Sequence, residues 1–270
     1  MMHSDPPAAV PAAAPSALFL FAHQDDEYGV FQRLLDCRRR GLRLACAYLT
    51  DGATASASAA TRNAESLAVL AQLGVAASDV AFGGLETGIA DGSLPRHLAP
   101  AAAWLERWLA RFDAVDSLHA PAWEGGHQDH DAVHVLAVTA ATRRGWLART
   151  WQYPLYQAAG VPGSRMLRVL TPLPANGPVS VAPIDWPARL RFLRYCLAYP
   201  SQRNVWLWLF PYVLAHYLLH GVQALQPVSP QRLGERPHQG ALYYEKRHWF
   251  TWDEMEAALA AWRAPRPHSR

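Results

Sequence analysis

The sequence predicts an α/β domain: a Rossmann-like, doubly wound, mostly parallel sheet of order 3-2-1-4-5, with C-terminal helical and extended elaborations. Two patterns carry this reading. From Leu18 onward, short apolar runs alternate with longer helical ones, and the first and fourth of those runs end in clusters of histidine and carboxylate residues. No internal repeat is visible, which sets solenoid architectures aside.

Taken in order, LFLFA at Leu18–Ala22 is the first strand and Phe31–Arg40 the first helix. LRLACAYLT, residues 42–50, precedes a helix near Thr61–Leu73. Val80–Phe82 precedes a helix near Leu98–Arg111, and AVDSLHA precedes one from about Asp131 to Arg144. TWQYPLY fits a fifth strand. After Gly160 the regularity weakens. Pro and Gly gather through Val161–Pro187 around the extended run MLRVLT, and a helix near Pro187–Ala198 follows. ALYYEKRHWF reads as a strand or extended segment, ahead of a helix capped near Thr251 that runs to Trp262. The expected organisation is a flexible tail over 1–16, a catalytic core over 17–160, and an elaboration over 161–270 that shapes the substrate pocket.

Composition bounds the function. Hydrophobic residues make up 51% of the chain and charged residues 17%, as in a globular protein with a substantial core. A formal charge of +3 with scattered arginines lacks the footprint of a nucleic-acid binder. Cys37, Cys46 and Cys196 form no CxxC pair and leave one over in any disulfide scheme, which suits a reducing cytoplasm and excludes a thiolate metal site. The N-terminus has no basic segment followed by a long apolar run, so a cleaved signal is not expected. Residues 204–231 carry no Asp, Glu, Lys or Arg, which raises the question of a membrane span. Pro211, His216, His220 and Gln223 weigh against one. The part over 205–225 instead offers a buried helix, or a face for a second copy of the chain, a membrane surface or a lipid-like substrate.

The chemistry is concentrated at two strand ends. The first strand leads into His23-Gln24-Asp25-Asp26-Glu27, and the fourth into Glu124-Gly125-Gly126-His127-Gln128-Asp129-His130-Asp131. In a 3-2-1-4-5 sheet, strands one and four are neighbours where the winding reverses, and ligands bind outside their C-terminal ends. Imidazole nitrogen with carboxylate oxygen suits Zn²⁺, and a catalytic zinc takes about three protein ligands and an open position. His23, Asp26 and His130 supply them. Such an ion lowers the pKa of its water toward ~7 and polarises an amide carbonyl. Asp25 is the candidate base. His127, as an imidazolium, is the candidate acid or oxyanion stabiliser, with Asp129 to orient it. An alternative metal pair, His130 with His134 at i,i+4, stays open. Glu124 is a candidate substrate contact.

These motifs, AHQDDE and GGHQDHDAVH, together with Thr50-Asp51-Gly52 and Arg62-Asn63-Ala64-Glu65, resemble the PIG-L/LmbE family of zinc-dependent N-acetylglucosaminyl deacetylases. The likeness spans about Leu18–Arg144. It implies zinc on His23, Asp26 and His130, Asp25 as base, His127 as acid or oxyanion group, Arg62 as a substrate-pocket or supporting residue, and an N-acetylated amino sugar or glycoconjugate as substrate. Tyr199-Pro200-Ser201-Gln202 resembles a weaker Tyr-x-Ser-Gln pattern found late in such chains. Gln24 and Gln128 replace the family's prolines without removing a ligand. The tyrosine some relatives carry before the second motif is absent, leaving His127 alone or assisted by a tyrosine from the C-terminal half.

Other classes fare worse. A dinucleotide-binding oxidoreductase needs a Gly-rich first turn, whereas the acidic turn here repels a pyrophosphate. A non-catalytic sugar-binding module would lack base or ligand positions, which this chain keeps. An amidase for another N-acyl group or a thiol conjugate remains compatible.

Overall fold

A computed structural model describes residues 14–264, so the expected N-terminal tail lies almost wholly outside the described residues. The alternation expected over the first half is β1 (Ser16–Phe21), α1 (Phe31–Arg39), β2 (Arg43–Tyr48), α2 (Ala59–Leu73), β3 (Val80–Phe82), a short unexpected helix α3 (Gly83–Thr87), then α4 (Leu98–Leu109), β4 (Val115–Pro121), α5 (Gln128–Arg144) and β5 (Thr150–Tyr153). The remainder comprises β6 (Tyr156–Gln157), β7 (Arg168–Val169), β8 (Ser180–Pro183), α6 (Trp186–Cys196), α7 (Arg203–Leu219), β9 (Val222–Pro227), α8 (Tyr243–Lys246) and α9 (Trp252–Arg263).

The sheet has seven strands in the order β3-β2-β1-β4-β5-β9-β8. The first five are parallel in the predicted order, and β9 and β8 extend the β5 edge as antiparallel strands. β1 is buried along its whole length, which explains why its sequence is continuously apolar rather than alternating. Leu18, Leu20 and Ala22 point into a core closed by α4, α5 and α9. Phe19 and Phe21 point into a second core closed by α1, α2, α6 and α7. Both faces are therefore covered, as double winding requires.

Local signals set the boundaries. The Ser58 hydroxyl accepts the Thr61 N–H at 3.2 Å to start α2, and Gly74, at φ 90°, ends it. The uncharged run after Asn204 divides at His220–Gly221. Its first part is α7 and its second is β9, and no helix among the described residues is long and apolar enough to cross a membrane. The expectation of an extended ALYYEKRHWF is corrected. Its aromatic residues suggest a strand, but the Glu245 carboxylate accepts the Leu242 N–H at 2.8 Å and starts the short helix α8, while Tyr244 and Phe250 enter the core.

Candidate active site

β1 and β4 lie side by side, so the turns that follow them face each other across the point where the winding reverses. The β1 turn is tightly held. Asp26 Oδ2 accepts the amides of Ala22 and His23 at 2.9 and 2.8 Å, which leaves Oδ1 facing His130 Nε2 at 3.0 Å. Asp25 takes φ 133°, a region costing a non-glycine residue on the order of 1–3 kcal/mol. Its amide is fixed by Glu27 Oε2 at 2.8 Å, and Glu27 is itself anchored by Tyr48. Opposite, His127 caps α5: its Nδ1 accepts the Asp129 N–H at 3.2 Å. Gly126 is needed here because a Cβ would stand 2.0 Å from the Tyr156 carbonyl oxygen.

His23, Asp26 and His130 are brought together, one ligand atom from each lying within 4.8 Å of the others, and all three side chains are buried. The Nδ1 of His130 is buried without a hydrogen-bond partner. His23 Nε2 also meets Asp129 at 3.0 Å and Asp91 at 3.2 Å. Arg62 is 2% exposed and points into the site rather than along a helix surface. It donates to the carbonyls of Gly52 and Gln24 at 2.6 and 2.8 Å, to Asp91 at 3.1 Å, and more distantly to Asp25 at 3.4 Å. Three of those four acceptors belong to the first motif and the Thr50-Asp51-Gly52 turn. Gln24 donates to Asn63 at 2.6 Å and to the Asp51 carbonyl, tying the first motif to α2 and the same turn.

Burial and charge set the protonation. Burial raises the Asp25 carboxyl to about 8, against the pull of Arg62 and with the push of Asp26. For Asp26 burial acts upward too, but the charge and hydrogen bond of His130, joined by His23, outweigh it and hold the carboxyl at about 2. Burial works against a charged His23, yet Asp91 and Asp129 raise its pKa well above the ordinary value. Asp91, in turn, is held well below the carboxylate range by His23 despite its burial.

Three sequence-based expectations change. His127 is not an imidazolium at neutral pH: burial first, then the charge of His23, lowers it to about 4, and since Nδ1 accepts a backbone amide the proton sits on Nε2. Asp129 does not orient His127 through its carboxylate, which is 3.9 Å from Nδ1. That carboxylate is instead occupied by the amides of Gly92 and Leu94 at 2.6 and 3.0 Å and by His23, so its backbone N–H does the orienting. Glu124 is no substrate contact. It is fully buried, with Oε1 accepting the amides of Leu155 and Tyr156 at 2.7 and 3.0 Å, and it braces the chain leaving β5. His134 also stands apart, its Nδ1 bonded to the Pro121 carbonyl at 2.9 Å.

The cleft above these groups has a volume of about 640 Å³. His23, Asp25, Arg62 and His127 line it, together with Gln202 of the Tyr-x-Ser-Gln segment and two residues that sequence reasoning did not single out, Asp91 and Trp249. Tyr156 lines it too, its ring 5.4 Å from that of His130. Asp91 sits in the turn Ala90-Asp91-Gly92-Ser93, where nothing in the local pattern marks it. Gln202 is placed by the Tyr-x-Ser-Gln segment, because Glu65 on α2 accepts both the amide and the hydroxyl of Ser201. The Arg-x-x-Glu pair thus divides its work: Arg62 holds the site and Glu65 holds the segment that walls it.

Residues 18–141 of this chain, the doubly wound domain that carries the β1 and β4 turns, match the PIG-L family, described as GlcNAc-PI de-N-acetylase. No curated protein matches the sequence. Solved structures share the fold. A deacetylase–bog complex from the biosynthesis pathway of teicoplanin aligns with a TM-score of 0.62 at 16% identity, over 79% of this chain and 98% of that one. An A40926 pseudoaglycone deacetylase gives 0.60 at 19% identity, over 80% and 98%. The N,N'-diacetylchitobiose deacetylase from Pyrococcus horikoshii gives 0.52 at 16% identity, over 80% and 84%.

Proposed function

We propose that the protein is a zinc-dependent hydrolase that removes an N-acetyl group from an amino sugar or glycoconjugate. The observation that carries this reading is the convergence of His23, Asp26 and His130 from two turns over a hundred residues apart. The donor set fits zinc: two imidazoles and one carboxylate, buried, with the His130 ring leaving one nitrogen without a partner in the protein. When bound, zinc supplies Lewis acidity toward water and toward the amide carbonyl.

The chain's own residues do the rest. Asp25, which lines the cleft from its strained backbone position, accepts the proton that water gives up as it attacks the acetyl carbon. His127 offers Nε2–H to the carbonyl oxygen as it gains charge. The departing amine takes its proton from the Asp25 carboxylic acid formed in the attack. Arg62 keeps Asp25 and Asp91 in place, and Tyr156 and Trp249 give the sugar ring apolar surfaces. The named activities of the teicoplanin-pathway and N,N'-diacetylchitobiose deacetylases, on the same fold, support an N-acetylated sugar as substrate. Three buried free thiols suit the cytoplasm, where we place the protein.

The test is release of acetate from a panel of N-acetylated sugars and glycosides by metal-stripped and zinc-restored protein. Release that depends on zinc is expected. Activity that survives stripping unchanged would remove the metal from the mechanism.

A further inference from the structure

A second cavity of about 310 Å³ opens beside the reaction cleft and shares four walls with it: Tyr156, Val205, Leu209 and Trp249. Beyond those shared walls it is closed by Leu167, Trp208 and Tyr243, with Arg165 and Arg247. Its size, at the lower end of small-molecule sites, suits one ring and its substituent. Flat aromatic faces dominate it, and Trp208 and Trp249 are 62% and 43% exposed, so their rings are open to contact rather than packed away.

The two arginines decide what the ring carries. The Arg165 guanidinium lies over Trp208 and that of Arg247 over Trp249, each 5.4 Å from the ring centroid. Among the described residues, neither has a carboxylate within 4.0 Å, whereas Arg62, Arg144, Arg232 and Arg236 all do. The Arg247 Nε is buried without a hydrogen-bond partner. No acidic residue lines this cavity, while Asp25 and Asp91 line the reaction end of the cleft. At the reaction end Asp25 and Asp91 are met by Arg62, whereas in this cavity Arg165 and Arg247 face no carboxylate, so an anion on a substituent lying here would meet unpaired guanidinium groups.

We propose that this cavity binds the substituent carried by the amino sugar, and that the substituent is an aromatic ring bearing an anionic group. The proposal rests on the deacetylase reading for what fills the adjoining cleft. Stacking on Trp208 and Trp249 holds the ring, and the forked guanidinium groups of Arg165 and Arg247 receive the anion in its plane.

Two measurements test it. The first compares kcat/KM for the methyl, octyl, phenyl and 4-carboxyphenyl β-glycosides of N-acetylglucosamine with the zinc-loaded protein. The phenyl glycoside should exceed the methyl by about fivefold, the size of an aromatic stacking contact. The 4-carboxyphenyl glycoside should exceed the phenyl by about tenfold, as for a charge-assisted hydrogen bond. Trp208→Ala should collapse the first ratio, and Arg165→Gln with Arg247→Gln the second. The second measurement is calorimetric titration with 4-carboxyphenyl β-D-glucopyranoside, which has no acetamide. Binding should weaken about tenfold in the double arginine variant. Glycosides that are deacetylated with no preference among them would overturn the pocket and leave the deacetylase reading standing, and an octyl glycoside that outperforms both aryl ones would overturn it in favour of an acyl chain. If nothing is deacetylated but the glucoside binds and the arginine variants lose it, the catalytic reading fails and the pocket stands. A glucoside affinity indifferent to both arginines overturns the pocket whatever the activity.

Discussion

Replacing Arg62 by Met keeps most of the side chain's volume and removes the buried guanidinium that ties the first motif to the Thr50-Asp51-Gly52 turn and to Asp91. Two carbonyl oxygens, those of Gly52 and Gln24, lose charged donors, and Asp25 and Asp91 lose a counter-charge. Breaking a buried pair of this kind costs ~3–5 kcal/mol. The lower part of that range applies, because Asp91 is 24% exposed and partly solvated and the contact to Asp25 is long, at 3.4 Å. With a melting shift of ~2–4 °C per kcal/mol for a chain of this size, Arg62→Met should melt ~6–12 °C below the parent protein. The deficit has a predicted pH dependence. Arg62 pulls the Asp25 carboxyl downward against burial, so without it the native carboxyls hold protons to higher pH than the unfolded ones do. Native proton uptake above unfolded uptake makes stability fall as pH rises. The melting deficit should therefore be larger at pH 8.5 than at pH 6, measured by scanning calorimetry in chelator so that only the chain's own charges act. A variant melting within about 2 °C of the parent at both pH values would refute the placement of Arg62 as counter-charge to this cluster.

Further expectations concern the ligands, a distant histidine and a glycine. Asp25→Asn should retain zinc at one equivalent and lose turnover by at least about a hundredfold, whereas His130→Ala should lose both metal and turnover; metal analysis of the purified variants decides, and full zinc occupancy in the latter removes His130 from the ligand set. His119, buried and stacked on Phe19, is held at about 3 by burial and by Arg33. Its folded value lies below the unfolded one, so the stability it contributes is complete above about pH 6.5 and is lost as pH falls toward 3, by ~1.4 kcal/mol per pH unit. His119→Gln should flatten the acid slope of denaturant-derived stability between pH 6 and 4 by that amount, and an unchanged slope would show that this ring already titrates normally. In Gly84→Ala, the new Cβ would stand 1.9 Å from the Thr50 carbonyl carbon, which cannot give way without moving the turn that presents the Gly52 oxygen. A loss of ~1–3 kcal/mol is expected, read as a lower denaturation midpoint.

The parallel half of the fold was legible because each of its segments is simple. A continuous apolar strand such as Leu18–Ala22 has no amphipathic alternative, and the order of strands follows from where the two acidic clusters must meet. The convergence of His23, Asp26 and His130 was legible for the same reason. Asp91 was not, since a lone carboxylate in a glycine turn gains meaning only when α2 turns Arg62 toward it. The orientation of His127 was hidden because it depends on a main-chain amide, which carries no residue identity. Glu124 misled because a charged residue within a site motif suggests contact with substrate, while the need to hold the amides of Leu155 and Tyr156 arises from chain geometry beyond β5. The antiparallel β9 escaped because an uncharged run containing Trp206, Trp208 and Tyr217 reads as one helix until Gly221 breaks it, and β8, only four residues long, lies in the Pro- and Gly-rich stretch before α6.

The two amides that hold Asp26 Oδ2 bear on how crowded the reaction centre can become. With Oδ2 engaged by the main chain, only Oδ1 of Asp26 would be free to hold the proposed ion beside His23 and His130, so the backbone of β1 would limit Asp26 to a single oxygen and keep room at the site for water.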